Sequence, residues 1–120
     1  MMQTKQLYHY NVVVVGVYDG DTITANIDLG MNVWVNNEKI RLVRIDAPEL
    51  RGTSRNKGLK SRDFLRELLL NKKVLIQTIK DRKEKYGRYL AEVWLETSPD
   101  KFVNVNDLMV EKKFAVYKKY

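Results

Sequence analysis

Residues 12–29 read VVVVGVYDGDTITANIDL, which is the pattern of a β-hairpin with acids in its turn. The β-branched run Val12–Val17 is typical of a strand with both faces partly covered, and Asp19-Gly20-Asp21 is a turn signal. From Thr22 to Leu29 apolar and polar residues alternate, so one face of this second strand points to a core. The stretch therefore predicts two antiparallel strands joined by an acidic turn.

Downstream of the hairpin the pattern predicts further strands and two helices. Asn36-Asn37 predicts a tight turn because asparagine tolerates positive φ, and Lys39–Ile45 predicts a strand that ends before Pro48. The other predicted elements are a helix over 54–71, strands over 74–79 and 88–95 around a loop over 80–87, and a short helix over 105–114 with Asn106 as its candidate N-cap.

Three strands, a helix and two strands is the order of an OB-fold, a five-stranded barrel with its helix between strands three and four. We therefore expect a mainly β (α+β) fold with a short C-terminal helix. At 120 residues the chain has the size of one domain, so residues 1–120 are predicted to form a single unit with residues 1–6 disordered. Barrels of this type commonly bind oligonucleotides on one face.

The composition excludes several kinds of site. The chain has no cysteine, which rules out disulfides, zinc–thiolate sites and a cysteine nucleophile, and its single histidine, His9, rules out a multi-histidine metal site. Lys and Arg number 22 against 15 Asp and Glu, and the net charge of +7 suits an anionic partner such as nucleic acid. No apolar run has the length of a signal peptide or a transmembrane helix, so we expect no membrane partner and a protein that is either cytoplasmic or the mature form of a secreted one.

Acids and cations occur together in the motifs. Four carboxylates lie at predicted strand ends or in the turns beside them: Asp19, Asp21, Asp46 and Glu49. Grouping acids costs energy unless a cation neutralises them, and Ca²⁺ accepts roughly 6 to 8 oxygen ligands. Arg41 lies five residues before Asp46, and a basic motif follows at Lys85-Tyr86-Gly87-Arg88. Acids for a metal beside cations for a phosphate indicate metal-assisted phosphodiester hydrolysis.

The order and separation of three segments point to a known family. With Asp19-Gly20-Asp21-Thr22, Arg41 to Glu49 and Lys85-Tyr86-Gly87-Arg88, the chain resembles the thermonuclease (staphylococcal nuclease-like) family from about Val12 to Ala115. The resemblance implies the same barrel that the strand pattern predicts. It also implies that Asp21 and Asp46 bind Ca²⁺ together with the backbone carbonyl of Ala47.

The resemblance assigns roles to the remaining motif residues. Glu49 would be the general base or would only orient the attacking water, and Arg41 and Arg88 would clamp the phosphate oxygens as charge builds on phosphorus. Asp19 would hold waters or orient Asp21. The candidates for substrate binding are Lys85 and Tyr86, which match positions that hold a terminal phosphate, and Tyr117 and Tyr120, which could stack on a base.

Each of these residues also has a plainer interpretation. An acid beside glycine often only forms a turn, an exposed glutamate often only pairs with a neighbouring cation, and a bidentate arginine often only serves structure. The favoured hypothesis is a monomeric, Ca²⁺-dependent endonuclease that hydrolyses DNA, preferring single-stranded or frayed substrates, and RNA, to products with a 3′-phosphate and a 5′-hydroxyl. The alternatives are a non-catalytic OB-type nucleic-acid-binding module and a protein-interaction module.

Overall fold

The computed structural model describes residues 8–119, with the side chains of residues 80–82 left out of the description. The strands are β1 (His9–Asp19), β2 (Thr22–Asp28), β3 (Trp34–Leu42), β4 (Ile45–Asp46), β5 (Lys73–Lys83), β6 (Tyr89–Ser98), β7 (Lys101–Asn104) and β8 (Val116–Tyr117). The helices are α1 (Arg55–Leu69), which follows a 3₁₀ turn at Gly52–Ser54, and α2 (Val105–Glu111). None of the helices in residues 8–119 is long and apolar enough to cross a membrane.

Five strands close into a barrel. The sheet order is β3-β2-β1-β5-β6-β7, and β3 also pairs with β6 in parallel, with Ile40 opposite Tyr89 and Leu42 opposite Ala91. This pairing joins the two sides of the sheet and leaves β7 outside the ring. Since α1 lies between β3 and β5 in the chain, the predicted OB-fold barrel with its helix after the third barrel strand is confirmed.

The core fills the barrel and the space under α1. The alternation predicted for residues 22–29 is confirmed in the middle of β2, where Ile23 and Ala25 are fully buried and Thr24 and Asn26 are partly exposed, but it is wrong at both ends, because Thr22 is buried and Leu29 is exposed. Other fully buried side chains come from the barrel strands and from α1 and α2: Val12, Val14, Ile40, Leu42, Leu65, Leu69, Ile76, Val93 and Met109.

The predicted turn at Asn36-Asn37 is wrong. The chain reverses earlier, where Leu29 N donates to Val33 O at 2.9 Å and Val33 N donates to Gly30 O at 2.9 Å. Asn37 does have positive φ (59°), as asparagine allows, but it forms a bulge in β3 opposite Asn26, whose Oδ1 accepts from Asn37 N at 2.8 Å. The tendency of asparagine toward positive φ was predicted correctly. The pairing of β3 with β2 makes this conformation part of a bulge rather than part of a turn.

Three other boundaries also differ from the predictions. The predicted strand over 39–45 breaks at Leu42, and its last residues form β4, which pairs with β8. The predicted loop over 80–87 is shorter, because β5 continues to Lys83. The N-cap of α2 is Asn104 rather than Asn106, since the Asn104 side chain accepts from Asp107 N at 2.9 Å.

Asn106 has a different structural role. It is fully buried, its Nδ2 donates to the carbonyls of Val43 (2.8 Å) and Ala91 (3.1 Å), and its Oδ1 accepts from Val93 N at 3.0 Å. The side chain therefore satisfies three backbone groups of β6 and of the turn after β3. Replacing it with an apolar residue would leave these groups buried and unpaired.

Candidate active site

The predicted acids and Arg41 meet at one end of the barrel, where the β1–β2 turn, the end of β3 and β4 come together. Arg41 is 7% exposed, and its Nη1 donates to the carbonyls of Leu42 (2.7 Å) and Ile45 (3.0 Å). The same Nη1 lies 3.4 Å from Asp21 Oδ2, and Nη2 lies 3.3 Å from Asp46 Oδ1. One guanidinium therefore closes the β3–β4 turn and bridges the two acids predicted as metal ligands.

Asp21 ties the β1–β2 turn to the segment after β4. It is 5% exposed, its Oδ2 accepts from Ala47 N at 2.8 Å, and its Oδ1 accepts from Thr22 Oγ at 3.1 Å. Gly20 allows this close approach, because a side chain there would overlap Ser61 Oγ of α1 and lie 2.7 Å from Ala47 Cβ. Helix α1 is thus packed directly against the acidic turn.

Asp19 sits in an unusual environment for an acid. Its Oδ1 accepts from Asp21 N at 3.1 Å. The pKa of Asp19 is raised to about 7, first by burial and then by the hydrogen bond and negative charge of Asp21, while the backbone hydrogen bond from Asp21 and the charge of Arg41 lower it less. The negative charge of Asp21 therefore disfavours ionisation of Asp19, and a cation at this turn would relieve the repulsion.

Asp46 and Glu49 are more accessible than Asp21. Asp46 is half-exposed, with its Oδ2 4.0 Å from Lys118 Nζ. The Glu49 side chain is 73% exposed and makes a long contact of 3.9 Å to Arg51 Nε. Glu49 lines a surface cavity of about 330 Å³ with Tyr18, Asp19, Leu50 and Arg51. The predicted base therefore faces open space beside the acidic turn.

Arg88, the residue directly before β6, reaches the same turn. Its Nη1 donates to Thr22 Oγ at 3.3 Å, and Thr22 in turn donates to Asp21, so one hydroxyl connects Arg88 with the acid. Glu84 holds Arg88 with both oxygens, at 3.1 Å from Nε and 3.0 Å from Nη2. The hydrogen bond from Arg88 lowers the pKa of Glu84 to about 2.

Sequence reasoning missed Thr22 and Glu84 as parts of this site. Thr22 directly follows the acidic turn, and Glu84 lies four residues before Arg88, so both stood within the quoted motifs or next to them. The missing information was spatial, because only the closed barrel brings Thr22 of β2 beside Arg88, which directly precedes β6.

The predicted substrate-binding residues divide into two groups. Tyr86 is exposed at the β5–β6 tip, with Lys85 Nζ 5.0 Å and Arg88 Cζ 5.4 Å from its ring centroid. Tyr117 lies against a different cluster, where its hydroxyl donates to Asp107 Oδ1 at 2.9 Å and Arg44 Cζ is 6.0 Å from its ring. Tyr120 lies outside the described residues.

The donor set decides which metal this site could hold. Within residues 8–119 no three side chains of His, Cys, Asp or Glu lie close enough together to bind a metal without other ligands. The predicted ligands are two carboxylates, Asp21 and Asp46, and the Ala47 carbonyl. An all-oxygen set of this kind suits a hard divalent ion, and several waters would have to complete its coordination because the acids alone do not.

Comparisons with known proteins identify relatives of this chain. The family model of staphylococcal nuclease homologues matches residues 39–120. An uncharacterised protein of Methanocaldococcus jannaschii is 31% identical over 89% of this chain, and the thermonuclease of Staphylococcus hyicus is 34% identical over 68%. The endonuclease YhcR of Bacillus subtilis is 31% identical over 88% of this chain. The chain spans 58%, 47% and 9% of these three relatives, respectively.

Proposed function

Since the chain belongs to the family of staphylococcal nuclease homologues, we propose that it is a Ca²⁺-dependent endonuclease that hydrolyses DNA, preferring single-stranded or frayed substrates, and RNA. Two of the similar proteins bear nuclease names, a thermonuclease and an endonuclease. The net charge of +7 suits a polyanionic substrate.

One observation carries the proposal. Arg41 lies between Asp21 and Asp46 with contacts of 3.4 and 3.3 Å, and Arg88 is linked to the same Asp21 through Thr22. The acids of this network can bind a cation while its arginines bind a phosphate, because each ligand neutralises the charge of the side chains that hold it. A module that only bound nucleic acid would gain nothing from acids facing its polyanionic ligand.

The two arginines would stabilise the charge on the reacting phosphate. Arg88 and Arg41 are held in place before substrate arrives, the first by Glu84 and the second by backbone carbonyls. Preorganised donors of this kind favour the transition state most, because the equatorial oxygens of five-coordinate phosphorus carry more charge than those of the substrate. Tyr86 and Lys85 at the neighbouring tip would bind the next phosphate along the strand.

Glu49 would activate the attacking water. Its exposed carboxylate takes a proton from water as the water oxygen bonds to phosphorus, in line with the departing 5′ oxygen. The phosphorus–oxygen bond then breaks, and the 5′ oxygen takes a proton from solvent. The products would carry a 3′-phosphate and a 5′-hydroxyl.

Asp21, Asp46 and the Ala47 carbonyl would hold the cation. Bound Ca²⁺ would supply positive charge for the phosphate oxygens and would lower the pKa of nearby water. Asp19, whose pKa is raised beside Asp21, would ionise more readily next to the cation and could then orient its waters.

The test is hydrolysis of single-stranded DNA with Ca²⁺ and with a chelator. We expect cleavage with Ca²⁺ that stops in the chelator, and no cleavage by Asp46→Asn, which removes one charge from a half-exposed position. End-group analysis of the fragments should show 3′-phosphates. DNA binding without hydrolysis by the wild-type chain would instead favour the non-catalytic OB module, and full cleavage in the chelator would contradict the metal-dependent mechanism.

A further inference from the structure

We infer a base-binding subsite at Tyr18, beside the acidic turn and Glu49. The subsite rests on the proposed function, and it would bind the part of the nucleic-acid strand that lies beyond the cleaved phosphate. Its ligand is one nucleobase of a single-stranded nucleic acid, with the adjoining phosphate beside Arg51.

Tyr18 lies on the solvent face of β1, because a bulge between Val14 and Gly16 shifts the alternation of the strand and places Val17 on the core face. It lies in β1 between buried Val17 and half-buried Asp19, yet it is 67% exposed. Its side chain lines the cavity of about 330 Å³ that also contains Glu49, Leu50 and Arg51. An exposed aromatic ring beside a cavity offers a flat apolar surface on which a base can stack.

The two exposed tyrosines lie at the ends of one chain of contacts. Tyr86 lies under Arg88, Arg88 donates to Thr22, and Thr22 donates to Asp21. Asp21 N then donates to Asp19, which lines the cavity next to Tyr18. One exposed aromatic side chain thus lies at each end of a chain of contacts that runs through the proposed active site, which suits a strand that extends past the cleaved phosphate.

Arg51 supplies the charge for the adjoining phosphate. Its side chain is 86% exposed, and its contact with Glu49 is long, at 3.9 Å. A contact this long and this exposed contributes little stability, so a phosphate can replace it at small cost. Leu50 is half-buried at the same cavity and adds apolar surface to the subsite.

The test combines Tyr18→Ala with abasic substrates. With a single-stranded oligodeoxynucleotide that has one cleavable position, Tyr18→Ala should raise KM by roughly 5- to 100-fold, the worth of one stacked base. Tyr18→Phe keeps the ring and should retain the wild-type KM. When the nucleotide in the subsite is made abasic, wild type and Tyr18→Ala should have equal KM values, which a merely structural role of Tyr18 would not produce.

Phe102→Ala is the matched control, because Phe102 is an exposed aromatic residue on β7, outside the barrel, and should change no KM value. Arg51→Ala should make the affinity less dependent on salt concentration, and the change in slope should correspond to about one phosphate contact. The inference is overturned if Tyr18→Ala cleaves with wild-type KM, or if its KM defect is the same for every abasic position. If the wild type cleaves nothing, the proposed function fails, and loss of oligonucleotide affinity in Tyr18→Ala, measured by fluorescence anisotropy, still decides the subsite.

Discussion

Arg41 and Arg44 lie three residues apart, and each is placed between two acids, but their contacts differ. Arg44 binds Glu92 with two short contacts, 2.6 Å from Nε and 2.7 Å from Nη2, and lies 2.9 Å from Asp107. Arg41 is farther from its acids, at 3.3 and 3.4 Å, and its shortest bonds go to backbone carbonyls. The short bidentate contacts hold the Arg44 guanidinium firmly on Glu92. The longer contacts of Arg41 leave Asp21 and Asp46 able to bind another cation.

The Arg44 cluster also compensates a backbone cost. Arg44 has φ of 71°, in the left-handed region, which costs a residue with a side chain about 1 kcal/mol. Its guanidinium joins β6 through Glu92 and α2 through Asp107, and Lys118 N donates to its carbonyl at 2.8 Å. The hydrogen bond to Glu92 is the main cause that raises the pKa of Arg44 above its ordinary value. This cluster fixes the turn before β4, while the Arg41 network forms part of the proposed active site.

The largest expected effect separates chemistry from structure. Glu49→Gln keeps the shape of the side chain and removes its basic oxygen, so turnover should fall by roughly 10² to 10⁴. The free energy of unfolding should stay unchanged, because Glu49 is exposed and makes only a long ion contact. Steady-state cleavage rates and urea unfolding of the same preparation check both parts, and wild-type turnover would show that the base lies elsewhere.

Arg41→Ala should affect both properties. Removing the guanidinium takes the cation from buried Asp21 and one donor each from the carbonyls of Leu42 and Ile45, which should cost about 3 kcal/mol of unfolding free energy. Turnover should fall as well, since Arg41 is assigned to transition-state charge. Arg41→Lys is the control, because it keeps the charge but cannot make the forked contacts. Full stability in Arg41→Ala would show that the contacts contribute little to the fold.

Arg44 variants should change stability alone. Arg44→Gly and Arg44→Ala both lose the ion pairs, but only alanine keeps the cost of positive φ. We expect Arg44→Ala to be about 1 kcal/mol less stable than Arg44→Gly, and Arg44→Gly to be within about 1 kcal/mol of wild type, because these pairs are partly exposed. Turnover measured well below the unfolding midpoint should stay near the wild-type value. Equal stability of the two variants would show that the turn relaxes away from positive φ.

The contrast between these regions also explains what the sequence could predict. The hairpin and the acidic turn were predictable because alternation and Asp-Gly are local signals. The two-residue strands β4 and β8 are too short to show alternation, and Arg44 just before β4 and Tyr117 of β8 both donate to Asp107, a contact between distant parts of the chain. Tyr18 carried no signal, because an aromatic residue in a β-branched run has the pattern of a core residue. Its exposure follows from the bulge between Val14 and Gly16, which shifts the alternation of β1.

The smallest expected effect is the acid dependence of stability. The pKa of Glu84 is lowered from its ordinary value of 4.5 to about 2, chiefly by the hydrogen bond from Arg88. Above pH 4.5 the carboxylate is ionised in both the folded and the unfolded chain, so its full stabilisation is present. As the pH falls toward about 2 the unfolded chain takes up the proton first, and this stabilisation is lost.

Glu84→Gln should therefore be less stable than wild type near neutral pH, and the difference should shrink steadily as the pH falls from 4.5 to 2. Arg44→Gly gives the parallel experiment in the other region, because the hydrogen bond from Arg44 lowers the pKa of Asp107. Urea unfolding of the three proteins from pH 2 to 6 measures both contributions. A Glu84→Gln curve that stays parallel to wild type would mean that Arg88 does not hold Glu84 ionised, and Arg88 would then not be fixed in advance for a phosphate.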